Sequence, residues 1–423
     1  MTRWRLSSAA MLFVGLAGLA GFVAWVAWVN TAGEAPRAAL PEGFKPDPVM
    51  VARGAYLARA GNCLACHTAR GGAPGAGGRG IDTPFGVVFA GNLTPDVETG
   101  LGRWSADDFW RALHHGRSRD GRLLAPAFPY PEFTQITRAD SDALHAYLHS
   151  LPAVRQPNLP HRLRFPYGTQ PALALWRALY FRPAAFAPDP ARDAAWNRGA
   201  YLVRALAHCA SCHAPRNALG ASLAGPALGG GELPGERWHA PGLGGPQDAA
   251  HLVELLKTGS SPRGTALGPM AEVVVHGTQH LSDDDLQAMA RYLATQPPPD
   301  AVSPQAHATL SEAARSQALR RGGELYEKHC ADCHGAQGEG AGAAYPALAG
   351  NRTVNLPSPV NLLHAIRHGG FAPATAARPR PYGMPPYGHL LSDDEIAAVA
   401  SHVRTSFGNR APVVTPLQVL QAR

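Results

Sequence analysis

Three short stretches constrain this chain more than anything else in it: Cys63-Leu64-Ala65-Cys66-His67, Cys209-Ala210-Ser211-Cys212-His213 and Cys330-Ala331-Asp332-Cys333-His334. Each is a Cys-x-x-Cys pair followed at once by a histidine, and together they use all six cysteines. A zinc ribbon needs two such pairs close together, but 146 residues separate Cys63 from Cys209 and 121 separate Cys209 from Cys330. No cysteine is left for a structural disulfide, and a redox dithiol has no need of a histidine behind every pair. Covalent haem attachment explains all three features. Two thiols almost one helical turn apart reach the two vinyl groups on one porphyrin edge, and the adjacent imidazole turns onto the iron. Cys63, Cys66, Cys209, Cys212, Cys330 and Cys333 are therefore read as attachment points for three covalently bound haem c groups. His67, His213 and His334 are read as proximal iron ligands, and most of the other sixteen histidines as ordinary exposed loop residues.

A chain of 423 residues suits about three domains of typical size. Its 46 glycines and 39 prolines point to loop-rich folds with short helices, while 45% apolar residues argue against disorder. Residues 9–29 carry no charge and would span roughly 31 Å as a helix, the thickness of a bilayer core. Residues 1–30 are read as an N-terminal membrane anchor, with a cleaved signal peptide as the rival. The anchor is favoured because the apolar run is long and Asn30-Thr31-Ala32-Gly33-Glu34 is a poor cleavage site. Arg3 and Arg5 ahead of the run keep the N-terminus in the cytoplasm and put the rest outside, on the periplasmic face of a bacterial inner membrane. The net charge of +7 omits two propionates for each haem, and no basic run reads as a nucleic-acid patch.

The haem motifs sit inside a longer repeat. Arg53-Gly54-Ala55-Tyr56-Leu57 and Arg198-Gly199-Ala200-Tyr201-Leu202 are identical, and Arg321-Gly322-Gly323-Glu324-Leu325-Tyr326 is similar. Behind each motif comes an amphipathic helix with a capping-box start: Thr137 to Asp140, Ser282 to Asp285 and Ser392 to Glu395. A small residue in the first helix lets the last helix cross closely over it, with the haem beneath. The domains read from this repeat are 46–153, 190–299 and 315–410, with a Pro-rich linker at 154–189, a second join at Gln296 to Gln305, and a C-terminal tail at 411–423.

Six methionines are available as sixth ligands. Met384, in Pro381-Tyr382-Gly383-Met384-Pro385-Pro386, lies fifty residues after His334 in a loop stiffened by proline. Met270, in Gly268-Pro269-Met270, lies fifty-seven residues after His213. Met289 reads as core filler, and Met50 precedes its haem motif. In the first repeat the equivalent loop, Leu124 to Tyr130, has Phe128, which cannot bind iron. Either another side chain ligates there, with His114 or His115 the nearest candidates, or the first iron is five-coordinate; both outcomes give the first haem a potential unlike the others.

The chain resembles the triheme cytochrome c subunits of bacterial membrane-bound alcohol, gluconate, sorbitol and aldehyde dehydrogenase complexes, from about residue 46 to 410. The resemblance rests on Gly91-Asn92-Leu93-Thr94-Pro95-Asp96, Thr99-Gly100-Leu101-Gly102-Arg103-Trp104 and Asp108-Phe109, and on Gly268 to Val273 with His276-Gly277-Thr278-Gln279. It rests equally on Met384-Pro385-Pro386, Leu391 to Ile396 and Ser406-Phe407-Gly408-Asn409. It implies a mainly α fold of three tandem cytochrome c-type haem domains behind an N-terminal transmembrane helix. The implied role is a periplasmic relay of electrons from a dehydrogenase catalytic subunit, of flavin, PQQ or molybdopterin type, to ubiquinone in the membrane. That family usually has methionine where this chain has Phe128. Some relatives attach by a C-terminal segment, but residues 415–423 are too short to span. No dinucleotide fingerprint, P-loop or nucleophile elbow is present, so the chain has no recognisable substrate-oxidising site of its own. Two alternatives are a haem enzyme or sensor that uses an open first iron, and a subunit that feeds a terminal oxidase. Intact mass of protein matured in a host able to attach haem is expected to show three added groups. A bare chain, or fewer than three, would remove the basis of this reading.

Overall fold

Close helix crossings, each allowed by a glycine, organise the chain. The computed structural model describes all residues except 1–7, 42, 224–227, 234, 236, 246–247, 299–310, 343 and 423. Arg3 and Arg5, and residues 299–305 of the second join, lie outside the described residues. After α1 (Ser8–Thr31) come α2 (Pro48–Ala60), the single turn α3 (Cys63–Cys66), α4 (Ala106–His115), the turn α5 (Tyr130–Phe133) and α6 (Arg138–Ser150). Beyond α7 (Gln170–Tyr180) the order returns as α8 (Ala194–Tyr201), a π-helical turn at Leu202–Leu206, α9 (Ala210–His213), α10 (Ala249–Thr258), α11 (Pro269–His276) and α12 (Asp283–Ala294). A third set holds α13 (Glu312–His329), α14 (Ala331–His334), α15 (Val360–His368) and α16 (Asp393–Thr405), closed by α17 (Pro416–Gln421). The strands are short and antiparallel: β1 (Gly80–Thr83) pairs with β2 (Gly86–Phe89), to which β3 (Arg162–Leu163) adds through Gly86 opposite Leu163. Three further hairpins are β4 (Gly230–Leu233) with β5 (Trp238–Pro241), β6 (Ser260–Ser261) with β7 (Gly264–Thr265), and β8 (Gly370–Phe371) with β9 (Gly383–Met384).

α2 packs on α6, α8 on α12 and α13 on α16. A β-carbon on Gly54 would stand 1.9 Å from the Ala143 carbonyl oxygen, one on Gly199 1.9 Å from that of Ala288, and one on Gly322 2.2 Å from that of Ala398. The helices therefore touch backbone to backbone, a separation no larger residue permits. Thr137, Ser282 and Ser392 cap the second helix of each pair by accepting from the N–H of Asp140, Asp285 and Glu395. Only Ser392 and Glu395 close the reciprocal box. The Asp140 and Asp285 carboxylates are taken by other donors, described below.

The first two helix sets share one continuous hydrophobic cluster, running from Leu57 and Leu144 through Tyr201, Leu202 and Leu206 to Leu286 and Leu293. Met289 is buried within it, as a filler should be. The third set has its own cluster around Leu325, Tyr326, Ile396 and Val403. Residues 411–423 do not hang free of it: Val414, Val419 and Ala422 are buried in that third cluster. Residues 154–189 are likewise more than a join, since they supply β3 and α7.

Residues Met11–Thr31 form a helix of mean hydropathy 2.1 whose apolar stretch is unburied, which meets the length and composition of a membrane span, as a signal sequence also can. Its end is fixed to the rest of the chain. The Asn30 amide donates to the carbonyl of Ala174 in α7 at 3.0 Å and accepts from Arg177 Nε at 2.7 Å. Glu34 then accepts from Arg111 at 2.6 Å and Arg117 at 2.7 Å.

Gly199→Ala is expected to destabilise the holoprotein by about 1–3 kcal/mol, because the added methyl must push α8 off α12. Gly323→Ala, whose nearest neighbour would be the His402 ring at 3.4 Å, should leave stability unchanged or slightly raised. Thermal unfolding of the two variants decides; equal shifts would show that the glycine crossing is not what limits the packing.

Candidate functional site

Each Cys-x-x-Cys-His stretch folds as one tight turn. The His67 N–H donates to the Cys63 carbonyl at 3.1 Å, that of His213 to Cys209 at 2.9 Å and that of His334 to Cys330 at 2.9 Å. The turn brings residues three apart to one side, which sets the two thiols of each pair together. Burial pushes the thiols of Cys63 and Cys209 up to about 12 and that of Cys330 up to about 11.

The three histidines share a second feature. Nδ1–H of His67 donates to the Gly91 carbonyl at 2.7 Å, that of His213 to Pro241 at 2.7 Å and that of His334 to Pro346 at 2.9 Å. This bond fixes tautomer and ring orientation and leaves Nε2 as the nitrogen able to ligate. Burial lowers the pKa of all three rings, for His213 to about 4, so each is neutral, the form that binds iron. Paired thiols beside a neutral imidazole with its far nitrogen occupied are the donor set that a thioether-linked porphyrin requires.

Reading the sequence did not find these carbonyls. Gly91 follows β2, Pro241 ends β5, and Pro346 follows an isolated bridge between Ala341 and Tyr345. The spacing from each histidine is irregular, so no fixed-offset motif reveals them. The usable signal was a leucine two residues on: Leu93, Leu243 and Leu348 each pack partly buried against a core cluster. Asn409, part of the Ser406 to Asn409 motif, ties this loop down by donating to the Leu348 carbonyl at 2.9 Å while accepting from Gly350 N–H at 3.0 Å.

Met384 lies on β9, opposite Gly370, and packs against the third cluster together with Cys330. Gly369 makes that placement possible: its φ is +62°, and a β-carbon there would stand 2.2 Å from the Met384 carbonyl oxygen. Met270 opens α11 and packs against the shared cluster, to which Cys63 and Cys209 also belong. Phe128 enters the same cluster and meets Phe133 edge-on at 5.5 Å. His114 and His115 each have contacts of their own. The His114 ring stacks on Trp110 at 4.5 Å with Nδ1–H donating to the Thr134 carbonyl at 2.6 Å. His115 is held well below its usual pKa, at about 4, by burial first and then by its neighbour His114, on the face of α4 that looks toward Glu34 and Arg111.

Around the first two sites the contacts are reciprocal. Arg53 pairs with Asp140 of its own set, and Arg198 with Asp285 of its own. The tyrosines cross over: Tyr56 OH donates to Asp285 at 2.6 Å and Tyr201 OH to Asp140 at 2.5 Å. Arg79 donates to the Ala65 carbonyl in the first haem turn at 2.9 Å and pairs with Glu272, two residues past Met270, at 2.7 Å. Arg216 donates to the equivalent Ser211 carbonyl in the second turn and faces Glu132, four residues past Phe128. Burial pushes the Glu132 carboxyl up to about 7 against the pull of Arg216. Each distal loop therefore leans on the other set's attachment turn. The third set is tied to the second through β5: Asn361 in α15 exchanges two hydrogen bonds with the His239 backbone, both at 2.8 Å.

A cytochrome c profile matches residues 51–152 and 319–407, and one described as cytochrome C oxidase, cbb3-type, subunit III matches 194–293. Such domains imply covalently bound haem c. The chain is 40% identical over 377 residues to a nicotinate dehydrogenase subunit of Pseudomonas putida, covering 86% of this chain and 31% of that protein. It thus spans about a third of that relative's length. It is 37% identical over 399 residues to the cytochrome c subunit of alcohol dehydrogenase (quinone) of Komagataeibacter europaeus, covering 89% of this chain and 85% of the relative. To the gluconate 2-dehydrogenase cytochrome c subunit of Pantoea cypripedii it is 36% identical, covering 86% of each.

The crossed tyrosines predict an acid dependence. Burial alone would raise the Asp285 carboxyl, but hydrogen bonds from Arg198 and Tyr56 outweigh it and hold the group below its usual range. Its contribution to stability is therefore present above the unfolded carboxyl value and lost as pH falls through the lower folded value. Tyr56→Phe should cost about 1–2 kcal/mol at neutral pH. It should also move the onset of acid unfolding to higher pH, as followed by circular dichroism. An unchanged acid limb would show that this bond does not hold the two sets together.

Proposed function

Since the chain belongs to the family of cytochrome c subunits of bacterial dehydrogenase complexes, we propose that it is the electron-relay subunit of such a complex and carries three haem c groups. The observation that carries this reading is the threefold construction of thiol pair, neutral imidazole and Nδ1–carbonyl bond at His67, His213 and His334. The domains are 46–153, 190–299 and 315–410. Electrons enter from a catalytic subunit with a flavin, PQQ or molybdopterin cofactor that oxidises an alcohol, sugar acid or aldehyde, and they leave to ubiquinone. α1 anchors the chain in the inner membrane, with the haem domains on the periplasmic side.

When bound, each haem supplies an iron that changes oxidation state by one electron. The residues of this chain set how each iron is held. His213 and Met270 would hold the second iron and His334 and Met384 the third, a thioether ligand raising the potential in each case. At the first site His67 would hold the iron, and the loop that carries methionine in the other two sets carries Phe128, which supplies no donor. Unless another side chain is recruited, that iron would be free to take an added ligand. The shared core and the reciprocal Arg79 and Arg216 contacts hold the first two attachment turns side by side, and the Asn361 bridge from β5 extends the series to the third.

Carbon monoxide added to the reduced holoprotein is expected to shift the spectrum of one haem in three, and of two in three after Met384→Ala. No response in the unaltered protein would mean that another side chain ligates the first iron, and an unchanged ratio in Met384→Ala would remove Met384 as a ligand. Purification from native membranes should bring down a dehydrogenase catalytic subunit. A terminal oxidase in its place would overturn the assignment.

A further inference from the structure

α7 carries apolar residues on both its inward and its outward face. Its inward face buries Leu173, Ala178 and the guanidinium-bearing Arg177, only 3% exposed, while Leu175 and Leu179 point outward at 39% and 51% exposure. The buried Arg177 donates from Nε to Asn30 Oδ1 and lies over the Tyr130 and Phe181 rings at 5.2 and 4.8 Å, while its Nη1 is buried without a hydrogen-bond partner among the described residues. Burying a cation while exposing leucines costs free energy in water unless the outward face meets something apolar.

The exposed surface continues beyond α7. Tyr180 is 41% exposed and packs on Trp176, whose Nε1 donates to the Leu219 carbonyl at 2.9 Å; Leu219 is itself 43% exposed. Phe165 is 88% exposed close by in sequence, and its neighbour Tyr167 packs on Phe85 at 4.6 Å. This surface begins where α1 ends, because Asn30 is bonded to the Ala174 carbonyl in α7. Trp25 and Trp28, near that end of α1, are exposed as well.

Charge points the same way. No acidic residue occurs between Asp142 and Asp189, while the exposed Arg162, Arg164 and Arg182 fall in that interval together with Arg155, which pairs with Glu98. An apolar helix face beside a tryptophan pair, in a segment whose own charges are all basic, is the pattern of a segment lying at the level of lipid headgroups.

We propose that the outer face of α7, with Leu175, Leu179 and Tyr180, lies in the headgroup layer of an anionic bilayer, beside the point where α1 emerges. The inference rests on α1 spanning the membrane as proposed above. Two attachments, one through the bilayer and one along its surface, would fix the orientation of the first helix set where a lipid-soluble electron acceptor is met.

The test uses the full-length holoprotein in phosphatidylglycerol and phosphatidylethanolamine vesicles that contain a lipid with a photoactivatable headgroup. Adducts are mapped by peptide mass spectrometry. Adducts on both α1 and α7 are expected, and Leu175→Glu with Leu179→Glu should lower those on α7 by roughly tenfold relative to α1, with the haem spectrum unchanged. Labelling of α1 alone overturns the proposal and leaves the anchor standing. Labelling of α7 alone supports the surface contact and removes the spanning helix, and labelling of neither removes both. If α7 is labelled in vesicles but protected in native membranes that hold the partner subunit, the face belongs to a protein interface and the lipid assignment fails.

Discussion

A buried imidazole whose Nδ1–H is given to a backbone carbonyl can present only one nitrogen to a metal, and it can do so only while the strand or loop that carries the carbonyl stays in place. At His67, His213 and His334 that condition is met three times by different backbone, after a full hairpin at Gly91 and Pro241 and after a single bridge at Pro346. The surrounding structure serves this bond. The glycine crossings bring the two long helices of each set close together, and the following leucine of each carbonyl loop packs against the core.

The same acidic position at the start of α6, α12 and α16 does two different jobs, and the difference decides how the sets associate. Glu395 reaches back to its own helix N-terminus and to Arg321, so its contacts stay within the third set. The side chains of Asp140 and Asp285, one methylene shorter, instead accept a tyrosine hydroxyl from the neighbouring set along with the arginine of their own. In the third set Glu324 stands where Tyr56 and Tyr201 stand in the others, while Tyr326 donates to its own Gly335 carbonyl at 2.6 Å. One exchange of side chain thus separates a set that docks reciprocally from one that keeps its own core.

Burial of charge follows the same economy. Arg404 is fully buried and held by the carbonyls of Val354, Leu356 and Pro412, closing loops that would otherwise leave acceptors without donors. Arg177 is buried at the seam between α1, α4 and α7, where it joins the apolar N-terminal helix to the first set.

What the sequence by itself determined was chemistry and repetition: thiol pairs with a following histidine, the recurring Arg-Gly start, the capped closing helix, and the methionine loops with their exception at Phe128. These are legible because each depends on neighbours a few residues apart, where covalent spacing fixes geometry. Only the tertiary structure decided which carbonyl orients each imidazole, that the first two sets share a core, and that residues 154–189 hold a helix, apolar on both faces, against α1. Those features pair residues that stand at irregular distances along the chain, such as His67 with Gly91 and Tyr56 with Asp285. Their meeting depends on how whole helices pack, and no local periodicity encodes it.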